Sequence, residues 1–199
     1  GFEVTEKVGK TGIVAVLKNG AGPTVLVRTE MDGLPMEEKT GLPYASRAKA
    51  VSNGAESFVT HSCGHDIHMA GWLGTARLLS EMKAKWKGTL VFIAQPAEEI
   101  VSGAKAMLDD GLFKRFPRPD YAFALHSWPL AHGTVGFNDG PVSSNSDAIE
   151  IVFKGRGGHG SAPDKSLDPI LIAARFVVDV QTVVSLSLIH ISEPRDVEE

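Results

Sequence analysis

The chain has 199 residues, 43% of them hydrophobic and 22% charged, with a formal net charge of −4. That composition is globular, with enough chain for one full core or two small ones, and its mildly acidic balance with no basic stripe argues against a nucleic-acid partner. No apolar run approaches the roughly 20 residues of a membrane span and no signal-peptide pattern opens the chain, so a cytoplasmic protein without membrane contact is expected.

The chain opens without Met, already in a strand-like run at Gly1-Phe2-Glu3-Val4, and is expected to be a fragment of a longer protein. Short, nearly continuous apolar runs recur at residues 13–17, 24–27, 90–94 and 121–125. Their length and β-branched content predict strands buried on both faces, as in a parallel sheet. Between them Met69, Trp72, Leu73, Ala76, Leu79 and Met82 recur three or four apart and predict a helix over 66–83. A second helix is expected over 97–110, ended by Gly111. The alternation gives the fold class α/β, a mixed, largely parallel sheet with flanking helices.

The small-polar stretch Pro141-Val142-Ser143-Ser144-Asn145-Ser146 reads as a linker. Beyond it, 148–154 predicts a new strand with more alternation, Gly155-Arg156-Gly157-Gly158-His159-Gly160 a loop, and 169–184 an amphipathic helix. The expected domains are therefore 1–142, and 143–185 as the start of a smaller α+β domain. Residues 186–199, "LSLIHISEPRDVEE", resemble a translated sequencing adapter and are expected to be a non-native tail.

The densest chemistry lies in "THSCGHDIHMAG" at 60–71, with three histidines, an aspartate and the only cysteine. One cysteine excludes an internal disulfide and a CxxC zinc knuckle, leaving Cys63 a role as a ligand, a nucleophile or a buried filler. In open α/β sheets functional groups gather at the carboxyl ends of strands. Glu30-Met31-Asp32, Glu98-Glu99 and His126 each follow a predicted strand, and Cys63-Gly64-His65-Asp66 opens the first helix. Taken singly, each has a plain explanation: paired glutamates compensate a helix dipole, and a lone histidine at a strand end is structural. Their joint occurrence on one rim points to a divalent-metal site.

Five motifs then occur in register: "RTEMDGLPMEEKTGLPYAS" (28–46), "HSCGHDIHMA" (61–70), "QPAEE" (95–99), "ALHSWP" (124–129) and "GGHGSAP" (157–163). Together they resemble the dinuclear metallopeptidases and amidohydrolases that cleave N-acyl amino acids, closest to the branch of hippurate hydrolases, auxin-conjugate hydrolases and aminoacylases. The resemblance implies two divalent ions per subunit (Zn, Mn, Co or Ni), with Cys63, His65, Glu99 and His126 as ligands and the Cys63 thiolate bridging. It makes Glu98 the general base and Asp32 a carboxylate orienting the ligands. It makes His159, in the second domain, a residue that reaches a neighbouring subunit's site and steadies the carbonyl oxygen. The second domain is then a dimerisation domain, and a homodimer or homotetramer acting on a small N-acyl amino acid is implied. Asp66 reads as a helix cap or an outer carboxylate, with the cap favoured, and His61 and His68 as structural or outer residues.

Two departures bear on this. Glu30 stands where the branch usually carries aspartate, and the family's further histidine ligand comes from a later segment not found here. His190 lies in the adapter-like tail and is rejected as its substitute, so the fragment alone is expected to be inactive. Rival readings are a cysteine-nucleophile hydrolase using Cys63, a carboxypeptidase or dipeptidase, and a non-catalytic metal-binding scaffold.

Overall fold

The segment GTLVFIAQ is buried along nearly its whole length, and the sheet forms around it. In a computed structural model that describes residues 1–142 and 149–186, the elements run β1 (Glu3–Val8), β2 (Gly12–Asn19), β3 (Thr24–Glu30), β4 (Lys49–Ser52), β5 (Ala55–Phe58), α1 (His65–Glu81), β6 (Gly88–Gln95), α2 (Gly103–Asp109), α3 (Leu112–Arg115), β7 (Tyr121–Ala124) and α4 (Pro169–Leu186). The chain divides into two compact units, Gly1–Val135 and Gly136–Glu199.

In the first unit the strand order is β1-β2-β6-β3-β7, with β4 and β5 as a separate hairpin. β1 pairs antiparallel with β2 and β2 antiparallel with β6, whereas β3 runs parallel to both β6 and β7. The period of two sorts the side chains onto two faces. Val14, Leu26, Val91 and Ile93 pack with Met107 and Leu112 from α2 and α3. Ala15, Leu17, Leu90 and Phe92 pack against Trp72, Ala76 and Leu79 of α1. A mixed sheet with flanking helices is thus observed, and all four apolar runs form strands, the last as far as Ala124 with Leu125 beyond it.

Several expectations need correction. All four residues of β7 are exposed, Tyr121 and Phe123 at 61% each, because among the described residues β7 is an edge strand carrying no layer on its faces. The helix expected from 97 starts only at Gly103. Ala97 and Val101 have φ of 49° and 51°, left-handed values that no helix interior allows, so Glu98 and Glu99 lie in a turn. Gly111, at φ 82°, does end that region. The β4–β5 hairpin was not anticipated.

The second unit holds a 3-10 turn at Pro163–Lys165 and α4. Asp168 caps α4, its Oδ1 accepting the Ile170 N–H at 2.8 Å, with Pro169 at the first helical position. Residues 149–154 form no ladder, since an extended run becomes a strand only when a partner takes its backbone groups, and among the described residues none does. Phe153 instead packs on Phe176, ring centroids 5.5 Å apart. Ile170, Leu171, Val177 and Val178 of α4 are exposed, as an unpartnered amphipathic helix requires. The boundary at Ser143, residue 148 of the expected strand and the tail from residue 187, His190 included, lie outside the described residues. No helix of the described residues is long and apolar enough to cross a membrane.

Candidate metal centre

Because β3, β6 and β7 are mutually parallel, their carboxyl ends open on one edge, and there the chain delivers Asp32, Glu98 with Glu99, and His126. α1 begins at the same edge. Gly64 stands at its N-cap in the left-handed region, φ 80°, and a Cβ there would overlap Ser127 Oγ. No side chain caps this end and Asp66 is exposed in the first turn, so the cap expected of Asp66 is not formed.

His65 is wholly buried. Its Nδ1 lies 2.8 Å from the Asp32 carbonyl oxygen. A carbonyl only accepts, so Nδ1 carries the proton and Nε2 presents its lone pair. That lone pair faces Glu98 Oε2 at 3.7 Å and Glu99 Oε1 at 3.8 Å. His65 Nε2 and Glu99 Oε1 are both buried without any hydrogen-bond partner. Two acceptors turned toward each other with no donor between them would be costly unless a cation stood there. His126 repeats the device: Nδ1 donates to the Ser127 carbonyl at 2.7 Å, and Nε2 lies 3.5 Å from Cys63 Sγ. The ligand atoms of Cys63, His65 and His126 lie within 4.8 Å of one another, as do those of His65, Glu98 and Glu99.

Asp32 joins the two groups. Its carbonyl orients His65, and its Oδ2 accepts the Glu99 backbone N–H at 2.9 Å. Burial, then the charge and hydrogen bond of Glu99, then the charges of Glu98 and Glu30, push the Cys63 thiol above its ordinary value. A thiolate there needs a compensating cation. His61 Nδ1 is buried without a partner, its ring 6.4 Å from that of His65. A cleft of about 1070 Å³ beside the Cys63 turn is lined by Met36, Leu42, Tyr44, His61 and Ile67 among others. His159 lies in the second unit, exposed, with Nδ1 2.8 Å from Ser161 Oγ and accepting the Ser161 N–H at 3.2 Å.

Sequence reasoning gave no role to Ser127 and no partner to His68 or Glu30. His68 is buried with Nδ1 3.2 Å from Glu30 Oε2, and its Nε2 accepts the Ser127 backbone N–H at 2.7 Å. Glu30 also accepts from Arg28 Nη1 at 2.6 Å. Burial is the main cause holding the His68 imidazole below its ordinary value, opposed by Glu30 and aided by His126 and His65. The available signal was the spacing of His65 and His68, three apart on one helix face.

Residues 26–194 match the profile described as Peptidase family M20/M25/M40. The chain belongs to this peptidase family. The M20/M25/M40 chain is 40% identical over 181 residues to an N-acetylcysteine deacetylase of Bacillus subtilis (strain 168), a match covering 90% of this chain and 45% of the relative. It is 42% identical over 187 residues to a hippurate hydrolase of Campylobacter jejuni, covering 93% of this chain and 46% of the relative. A crystal structure of a proposed aminohydrolase from methicillin-resistant Staphylococcus aureus shares its fold at a TM-score of 0.63 and 33% identity, over 92% of this chain and 47% of that one. The M20/M25/M40 chain thus spans about half the length of the curated relatives it matches.

Proposed function

We propose that the whole protein is a metal-dependent hydrolase of the amide bond in N-acyl amino acids, and that this chain supplies most of its metal centre. The observation that carries the reading is the pair of buried, unpartnered acceptors, His65 Nε2 and Glu99 Oε1, 3.8 Å apart. Cys63, His65, Glu99 and His126 would hold two divalent ions, and their mixed sulfur, nitrogen and oxygen donors suit Zn, Mn, Co or Ni. Bound there, such ions supply Lewis acidity toward the amide carbonyl and toward water.

The other roles fall to the chain's own groups. Glu98, more exposed than Glu99 at 37% against 21%, takes the proton of the attacking water and returns it to the leaving nitrogen. Asp32 fixes His65 through its carbonyl and Glu99 through its carboxylate. His159 steadies the carbonyl oxygen in a partner subunit of a homo-oligomer. The raised Cys63 thiol speaks against a cysteine nucleophile, which needs a depressed one. The names of the deacetylase and the hippurate hydrolase support an N-acyl amino acid as substrate.

The test is metal analysis of the purified whole protein, with turnover of N-acetylcysteine and hippurate measured before and after chelation. Metal close to two per subunit and turnover abolished by chelator are expected. Undiminished turnover in metal-free protein would overturn the reading.

A further inference from the structure

The segment that carries His126 is poorly anchored. Every residue from 121 to 135 is exposed except Ser127. Beyond the end of β7 at Ala124, the hydrogen bonds among the described residues that tie it to α1 and the turn before it all start from His126 or Ser127. The shortest of them runs from the Ser127 backbone N–H to His68 Nε2, 2.7 Å, and the Ser127 hydroxyl sits 3.4 Å from the Cys63 carbonyl. A backbone N–H can only donate, so His68 Nε2 must carry the lone pair and Nδ1 the proton. That proton faces Glu30 Oε2, whose other oxygen is held by Arg28. Arg28 in turn donates through Nε to Gln95 Oε1 at 2.9 Å, tying the chain of contacts to the end of β6.

We infer that His68 is the positioning residue for the His126 ligand: Glu30 fixes its tautomer, and its Nε2 seats the Ser127 amide so that His126 leaves β7 facing Cys63 and His65. The inference rests on the metal-centre reading above. His68 itself offers nothing to an ion, because both ring nitrogens are engaged, and its effect reaches His126 through the backbone of Ser127, the third residue beyond β7. The carboxylate–histidine–amide chain therefore orients an exposed ligand whose ring rests on that of His68, centroids 4.5 Å apart, which is the task outer-sphere partners perform in metal sites.

The test uses Co(II) as the probe on the purified whole protein. Co(II) titration of the unaltered protein should raise a thiolate-to-metal absorption from Cys63 and ligand-field bands of a low-symmetry site. His68→Asn keeps a polar partner for Glu30 but its amide stops short of Ser127, whereas the longer His68→Gln places an oxygen near Nε2. His68→Asn should bind Co(II) about 10- to 100-fold more weakly, with its thiolate band retained and its ligand-field bands altered. His68→Gln should recover most of that loss. Equal affinity and spectra for the Asn variant and the unaltered protein, or no advantage of Gln over Asn, would overturn the inference and leave the metal reading standing. No Co(II) band in the unaltered protein would overturn the metal reading and this inference with it. A further measurement is independent of whether the variants fold: in the metal-free protein, ring nitrogen NMR must find His68 protonated at Nδ1 and bare at Nε2, and the opposite tautomer sinks the inference.

Discussion

Glu98 and Glu99 follow one another in the chain, yet the turn that holds them gives each a different setting. The Glu99 amide is tied to Asp32 and its Oε1 is buried without a partner, while Glu98 is the more open to solvent. A group that binds an ion cannot also carry protons, so the two are expected to separate on substitution. Glu99→Gln should cost metal, read by elemental analysis of the whole protein. Glu98→Gln should keep metal and lower kcat by about 100- to 10,000-fold. The reverse pattern would exchange their roles. Gly64 offers a test on stability instead. Gly64→Ala puts a Cβ in the left-handed region and against Ser127 Oγ, and should cost about 1–3 kcal/mol in urea denaturation. A change below a few tenths would mean that the turn relaxes freely.

At the scale of elements, β6 holds the sheet together, with Phe92 wholly buried between Phe2 and Trp72. Phe92→Ala should therefore destabilise the chain by about 3–5 kcal/mol, measured by thermal or denaturant unfolding. A loss under 1 kcal/mol would contradict the packing described. The same strand shows why much of the fold was legible: a strand apolar on both faces cannot be mistaken for one half in water. α1 was legible for a like reason, since Trp72, Ala76 and Leu79 keep helical spacing against the sheet. The start of α2 was not, because the left-handed Ala97 and Val101 are tertiary choices that no propensity reports. The β4–β5 hairpin did carry a signal, Asn53-Gly54, with φ of 50° and 79° suited to a type I′ turn. Its strands are short and largely exposed, and lack the alternation that would have made the pair readable. At the site, motif resemblance named the residues that converge. It could not name Ser127, whose part is played by a backbone N–H that any residue except proline has.

For the whole molecule, the proposed role of His159 depends on a second copy. Mixing two inactive whole-protein variants, His159→Ala and Glu98→Gln, to form hybrids should restore part of the turnover, because one site of each hybrid then carries both intact residues. No recovery in hybrids shown to have formed would confine His159 to its own chain or to no role in turnover. The strand order has a further consequence, for the making of the protein. β2 and β3 are consecutive in the chain yet never touch as partners, since β6 stands between them, with Ile13 opposite Ala94 and Thr24 opposite Thr89. As the polypeptide leaves the ribosome, the middle of the sheet is the last of its inner strands to arrive. Until residues 88–95 emerge, β2 and β3 each wait with an open edge, and such edges invite pairing with other nascent chains. A pause in translation before residues 88–95 have left the ribosome would prolong that wait, and one after they have emerged would not.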